Sequence, residues 1–336
     1  MPDAMSRWII FFCGLLIVEE GVGVEKKDYH LTYHPKFPLV AIPEQIEADG
    51  PVTVDAPLGH YTESPILSVH INGSGPYFFM FDTGWGAGAM ISRRLAEHLK
   101  LPLAGQNSHH TITPNQIVEV FHDVYFIKEL KVGKIKILNF SLNASSGFED
   151  DLDLFKRHGI GQEAGIDGVL GINAFYGFKL TIDYQREKIT FQTDSLSKND
   201  KDVLPYGSTQ SVPNVDLTIH FHKLKKHSKI VQNFIIDTGN YSYIRVNACR
   251  IPEMHEFSEK EQLMSSDFLG NKMPEYFAKL YGDIEILPHY IIHSPYITFA
   301  SNNCHQRPYG LLGRKFFEDN SIVIDPDDEL VKITKN

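Results

Sequence analysis

The sequence predicts a β-rich molecule of two similar halves. Three repeated phrases carry this reading. An apolar run ends in Asp-Thr-Gly twice, at Tyr77–Phe81 into Asp82-Thr83-Gly84 and at Phe234–Ile236 into Asp237-Thr238-Gly239. Each half later has an apolar-Leu-Gly phrase, Val169-Leu170-Gly171 and Leu311-Leu312-Gly313. Each half then closes with a hairpin pattern.

The elements follow in order. Ile66–Ile71 alternates apolar and polar residues, as a half-buried strand does. Asn72–Pro76 supplies a turn, and Tyr77–Phe81 is apolar on both faces, which marks an interior strand. Ser92 is placed to cap a short helix over Arg93–Leu99, which Leu101-Pro102 stops. Leu130–Ile137 reads as a hairpin edge, and Leu180–Tyr184 with Lys188–Phe191 as the closing hairpin around Gln185–Glu187. The second half repeats the order with Val215–Phe221, a charged turn over Lys223–Lys229, and Ile230–Ile236. Its closing hairpin is Ser321–Asp325 with Leu330–Ile333.

The expected organisation is therefore an export signal over 1–23, an arm or extra strand over 24–63, a first domain over 64–192, a linker over 193–212 and a second domain over 213–336. The linker is polar, and 195–202 gives little reason to pack. At 336 residues the chain has room for two lobes, and 42% apolar with 22% charged content indicates a folded globular protein. The net charge of -10 argues against nucleic acid as a partner.

Trp8–Val18 is an apolar run behind Arg7, too short for a comfortable membrane span. It fits the core of a signal peptide, with an uncleaved membrane anchor or a buried first strand as alternatives. The expected location is periplasmic or secreted. Cys13 lies within this run, which leaves Cys249 and Cys304 either as one disulfide or as two buried thiols. Asn-x-Ser triplets at Asn72, Asn139, Asn143 and Asn240 matter only in a glycosylating host.

Two aspartates held together cannot both ionise cheaply, so a pair retains a shared proton. The ionised member activates water while the protonated member donates to an amide carbonyl oxygen. Asp82 and Asp237 are thus candidate catalytic residues. Thr83 and Thr238 offer hydroxyls to fix the two loops, and Gly84 and Gly239 let backbone amides approach the carboxylates. An isolated Asp-Thr-Gly is more often a strand-end turn. Two copies in matched contexts favour the paired site. The 16 histidines are scattered, and no metal site or cofactor is expected. Serine-hydrolase, phosphate-loop and dinucleotide motifs are missing.

These phrases resemble those of aspartic peptidases, nearest to the retropepsin-like group that includes bacterial aspartyl proteases, with two such domains fused. The resemblance covers roughly 64–192 and 213–334, and Asp167–Gly171 is especially typical. It implies an all-β fold of two similar closed-barrel lobes with a cleft between them, in a pepsin-like bilobal arrangement. It also implies a peptide or protein substrate, the catalytic pair Asp82 and Asp237, no metal, and activity as a monomer. A flap is expected between Gly105 and Phe121. The chain departs from the family pattern at Trp85 and Asn240, where a small residue usually follows the triplet, and both are candidate cleft residues. The expected function is an aspartic endopeptidase. The alternative is an inactive peptide-binding protein that keeps the cleft.

Overall fold

The computed structural model describes residues 10–11, 29, 31–37, 40–59, 64–86, 88–112, 117–145, 166–207, 211–222, 229–240, 242–247, 261–267, 272–300 and 309–336. The fold is all-β, with two six-residue α-helices among the described residues, Arg93–His98 and Arg314–Asp319. Ser92 caps the first, its hydroxyl accepting from Leu95 N, as the sequence predicts.

The first half closes on itself. Ile66–Ile71 pairs with Ser74–Asp82, which pairs in parallel with Gly168–Gly171. Gly168–Gly171 pairs with Ala89–Ser92, which pairs in parallel with Ile135–Ser145. The long strand Ile117–Val132 then joins Ile135–Ser145 back to Ile66–Ile71. Six strands thus form a closed barrel whose interior is filled by Leu67, Phe79, Phe81, Ile127, Phe140 and Leu170.

The second half repeats the connections without closing. Asn214–Phe221 pairs with Lys229–Ile236, which pairs in parallel with Gly310–Leu312, which pairs with Ile244–Arg245. Ile244–Arg245 meets Tyr296–Ala300, and that strand meets Lys272–Lys279. Two closed barrels were expected, but among the described residues this second sheet of ten strands is open. The reason lies in two interruptions. The counterpart of Ile117–Val132 is split into Lys272–Lys279 and Gly282–Leu287, and the counterpart of Ile135–Ser145 into Tyr290–His293 and Tyr296–Ala300. Ser294 takes φ +45°, and Pro295 has no N–H to give to a ladder.

The closing hairpins join the halves. Leu180, Thr181 and Ile182 pair with Ile324, Val323 and Ile322, so Lys179–Asp183 and Asn320–Asp325 lie at the centre of one six-stranded sheet. Lys188–Gln192 and Leu330–Lys335 flank them. The turns of the two hairpins match down to the left-handed Glu187 (φ +52°) and Glu329 (φ +53°). One outer strand comes from the segment read as an arm or extra strand, and the other from the expected linker. Val52–Asp55 of the N-terminal arm pairs with Lys188–Phe191, and Val203–Pro205 of the linker pairs with Leu330–Lys332. The linker is therefore held to the sheet at Val203–Pro205, where it satisfies an edge of the shared sheet, while 197–201 is exposed.

Within the expected export segment only Ile10–Phe11 is described; it pairs in parallel with Ser266–Asp267. Cys13, Cys249 and Cys304 lie outside the described residues. Among the described residues no helix is long and apolar enough to cross a membrane.

Candidate active site

Both Asp-Thr-Gly triplets end their strands at the seam between the halves, and the seam is built by reciprocal hydrogen bonds. Thr83 N donates to Thr238 Oγ1 at 2.9 Å, and Thr238 N donates to Thr83 Oγ1 at 3.0 Å. Thr83 Oγ1 donates to Ile236 O at 2.6 Å, and Thr238 Oγ1 to Phe81 O at 2.8 Å. Each hydroxyl thus accepts from one loop and donates to the strand leading into it. Both threonines are buried, where such bonds are costly to break.

The glycines act across the same seam. Gly84 N donates to Asp82 Oδ1 at 2.8 Å, and Gly239 N to Asp237 Oδ1 at 3.0 Å. A Cβ on Gly84 would lie 2.7 Å from Asp237 Cγ, and a Cβ on Gly239 would lie 2.6 Å from Asp82 Oδ2. Each triplet therefore leaves room for the other's carboxylate, and only glycine permits it.

The apolar-Leu-Gly phrases seat the acid loops from behind. Gly171 pairs with Asp82, and Asp237 N donates to Leu312 O at 2.9 Å. A Cβ on Gly171 would meet Trp85 O at 2.1 Å, and one on Gly313 would meet Ser242 O at 2.2 Å.

Asp82 is 0% exposed and Asp237 1%. Burial pushes the Asp82 carboxyl up to about 6, opposed by hydrogen bonding with Asp237 and with the amides of Gly84, Gly239 and Trp85. Burial also raises Asp237, well above the carboxylate range, and the negative charge of Asp82 and its hydrogen bond add to this; the Gly239 amide and the Arg245 guanidinium oppose it. Asp82 Oδ2 is buried and receives no hydrogen bond from a nitrogen or hydroxyl donor among the described residues.

Trp85 and Asn240 occupy matching places but differ in use. Trp85 is partly exposed, and its backbone N–H donates to Asp82 O at 3.1 Å. Asn240 is buried, and its Oδ1 accepts from Ser242 N at 2.8 Å and from the Ser242 hydroxyl. Asn240 therefore shapes its own loop, and its burial leaves no space for a glycan.

Two residues around the loops were not singled out by the sequence. The buried Tyr184 donates its hydroxyl to Thr238 O at 3.3 Å and stacks on Phe317. Asn173 Nδ2 donates to Ser211 O at 2.8 Å and to Gly86 O at 3.1 Å, tying the end of the linker to the first acid loop. A signal existed for Tyr184, which stands in the first closing turn where the second has Pro326.

Strand alternation puts Ile235 on the face of Asp237, away from the core residues Phe234 and Ile236. There Ile235 packs with Val212, Tyr309 and Leu311 in a small apolar cluster apart from the main core. The expected flap region is a hairpin of Leu103–Ile112 with Ile117–Val132, whose tip at 113–116 lies outside the described residues.

Residues 67–174 match the family model described as Aspartyl protease. An aspartyl-protease-type domain covers this part of the chain. The matched span holds Asp82 and the Gly168–Gly171 strand and ends before Asp237. The domain's family implies a peptide or protein substrate in general terms. No curated protein matches the sequence.

Proposed function

We propose that the protein is an aspartic endopeptidase in which Asp82 and Asp237 share a proton and activate one water molecule. The observation that carries this reading is the reciprocal fit of the two triplets, each glycine leaving space for the other aspartate's carboxylate. Two raised carboxyls support it, because a buried pair favours one proton over two negative charges.

In this mechanism the ionised carboxylate takes a proton from water as the oxygen attacks the amide carbon. The protonated carboxyl gives its proton to the carbonyl oxygen, forming a neutral tetrahedral diol. As the diol collapses and the C–N bond breaks, one hydroxyl proton returns to the ionised carboxyl and the proton held by the other carboxyl passes to the leaving nitrogen, which leaves the pair with one proton again. Burial pushes both carboxyls upward, so the proton belongs to the Asp82–Asp237 pair as a unit. One chain supplies both acids, so the active species is a monomer. We place it outside the cytoplasm, on the apolar run Trp8–Val18 behind Arg7.

Complete burial of both acids favours a second reading, a peptide-binding protein with silent carboxyls. One experiment separates them. The purified protein, Asp82→Asn and Asp237→Asn are incubated with a peptide library from about pH 3 to 7, the range in which such pairs titrate. Endopeptidase activity predicts cleavage by the wild type alone. Peptide retention without cleavage supports the binding reading, and cleavage by both variants removes the pair from the chemistry.

A further inference from the structure

The acid-bearing faces of the two halves can be compared strand by strand. From Asp82 outward, the first row is Met80, Val169, Met90, Asn143 and Val124, each the ladder neighbour of the next. From Asp237 outward, the second row is Ile235, Leu311, Arg245, Thr298 and Phe277. Arg245 therefore stands where the first half has Met90. Its partner Glu275 precedes Phe277 by two residues and shares its face. Arg245 Nη2 lies 2.8 Å from Glu275 Oε1, and the glutamate is 0% exposed.

Packing alone does not call for this pair, since methionine fills the matching place in the first half. Burying two charges costs solvation that their attraction repays only when their remaining hydrogen-bonding atoms are served. Here they are not. Glu275 Oε2 and Thr298 Oγ1 are buried without a hydrogen-bond partner among the described residues. Buried polar atoms in this state are completed by a ligand or by water.

We propose that Arg245, Glu275 and Thr298 form a polar specificity subsite on the Asp237 side of the cleft, taking a substrate side chain that ends in an amide or hydroxyl, while the Met80–Val169–Met90 side takes an apolar one. The inference rests on the peptidase reading. The charge balance selects the ligand. The ion pair is neutral, so an added lysine would leave a buried net charge, and an added carboxylate would face Glu275. An amide or hydroxyl donates to Glu275 Oε2 and bonds Thr298 Oγ1 without either cost.

The test uses the full chain and peptides varied at each subsite among Gln, Asn, Ser, Met, Leu, Lys and Glu. One subsite is expected to prefer Gln, Asn or Ser over Met and Leu by about tenfold or more in kcat/KM. Thr298→Val, nearly isosteric and safe for folding, should narrow that preference. Replacing Arg245 and Glu275 together by Met should turn it towards Met and Leu and leave the other subsites unchanged. Affinities of the same peptides for Asp82→Asn protein give the ranking without turnover. A wild type that cuts nothing would overturn the peptidase reading, and the affinity ranking then decides the subsite by itself. Equal handling of Gln and Met at every subsite, a preference for Lys or Glu at this one, or a ranking untouched by Thr298→Val would overturn the subsite.

Discussion

Gly84 faces Asp237 so closely that a Cβ on the glycine would lie 2.7 Å from the aspartate's Cγ and 2.8 Å from its Oδ1. Gly239 faces Asp82 in the same way. Gly84→Ala or Gly239→Ala must therefore push the opposite carboxylate out of place. A displacement near 1 Å is worth about 100-fold in rate. Each variant should lose about that factor in kcat/KM against a cleavable peptide, with far-ultraviolet circular dichroism unchanged.

The threonine exchange across the seam predicts a loss of stability. Thr83→Val keeps the shape but strands Ile236 O and Thr238 N, both now served by its hydroxyl. Leaving buried backbone groups unserved should cost about 3 kcal/mol, read as a lower urea midpoint. Thr238→Val strands Phe81 O and Thr83 N and should cost a similar amount. Near-equal losses would reflect the reciprocity, and an unchanged midpoint in both would contradict it.

The raised carboxyls set the direction of pH dependence. Asp82 rises from 3.8 to about 6 on folding. A folded value above the unfolded one means that its contribution is fully present below 3.8 and is lost as pH rises through about 6. The shift corresponds to about 3 kcal/mol. The stability advantage of wild type over Asp82→Asn should shrink by that order between about pH 4 and 7, measured by denaturant unfolding. Activity should run the other way on its acid limb, rising as the pair gives up its first proton.

Tyr184 reaches beneath the second acid loop from the first half's closing turn. Tyr184→Phe should cost about 1 kcal/mol while keeping the stack on Phe317. A stability loss with kcat almost unchanged would mark the hydroxyl as a support for the loop.

The features legible in the sequence are those written locally. An apolar run ending in Asp-Thr-Gly specifies a buried strand and its turn within a few residues. The repeated phrases ending in Gly171 and Gly313 are legible because each closes a short apolar run, and the closing hairpins because their turns sit between alternating runs. The shared sheet was not readable. Leu180 meets Ile324 through a ladder between distant segments, and neither strand carries a mark of its partner. The same holds for Val52–Asp55 and Val203–Pro205, which are short edge strands in polar surroundings. The open second sheet had a visible cue in Ser294-Pro295, but a proline signals a break without saying which ring it opens. The Arg245–Glu275 pair is likewise a meeting of two strands that only their common neighbour, Tyr296–Ala300, brings together.

The central position of Asn320–Asp325 in the shared sheet has a consequence for the order of events during synthesis. The second acid loop is seated by Gly313, and the two halves are laced through Ile322, Val323 and Ile324, all of which follow both acid loops in the chain. The first half has its strands and its Asp82 long before that, and can fold as it emerges. Its partner carboxylate is locked in place only when the hairpin of Asn320–Asp325 with Leu330–Lys335 arrives. Synthesis thus acts as a safety catch: until that hairpin has emerged, the nascent chain carries one seated carboxylate and one unseated.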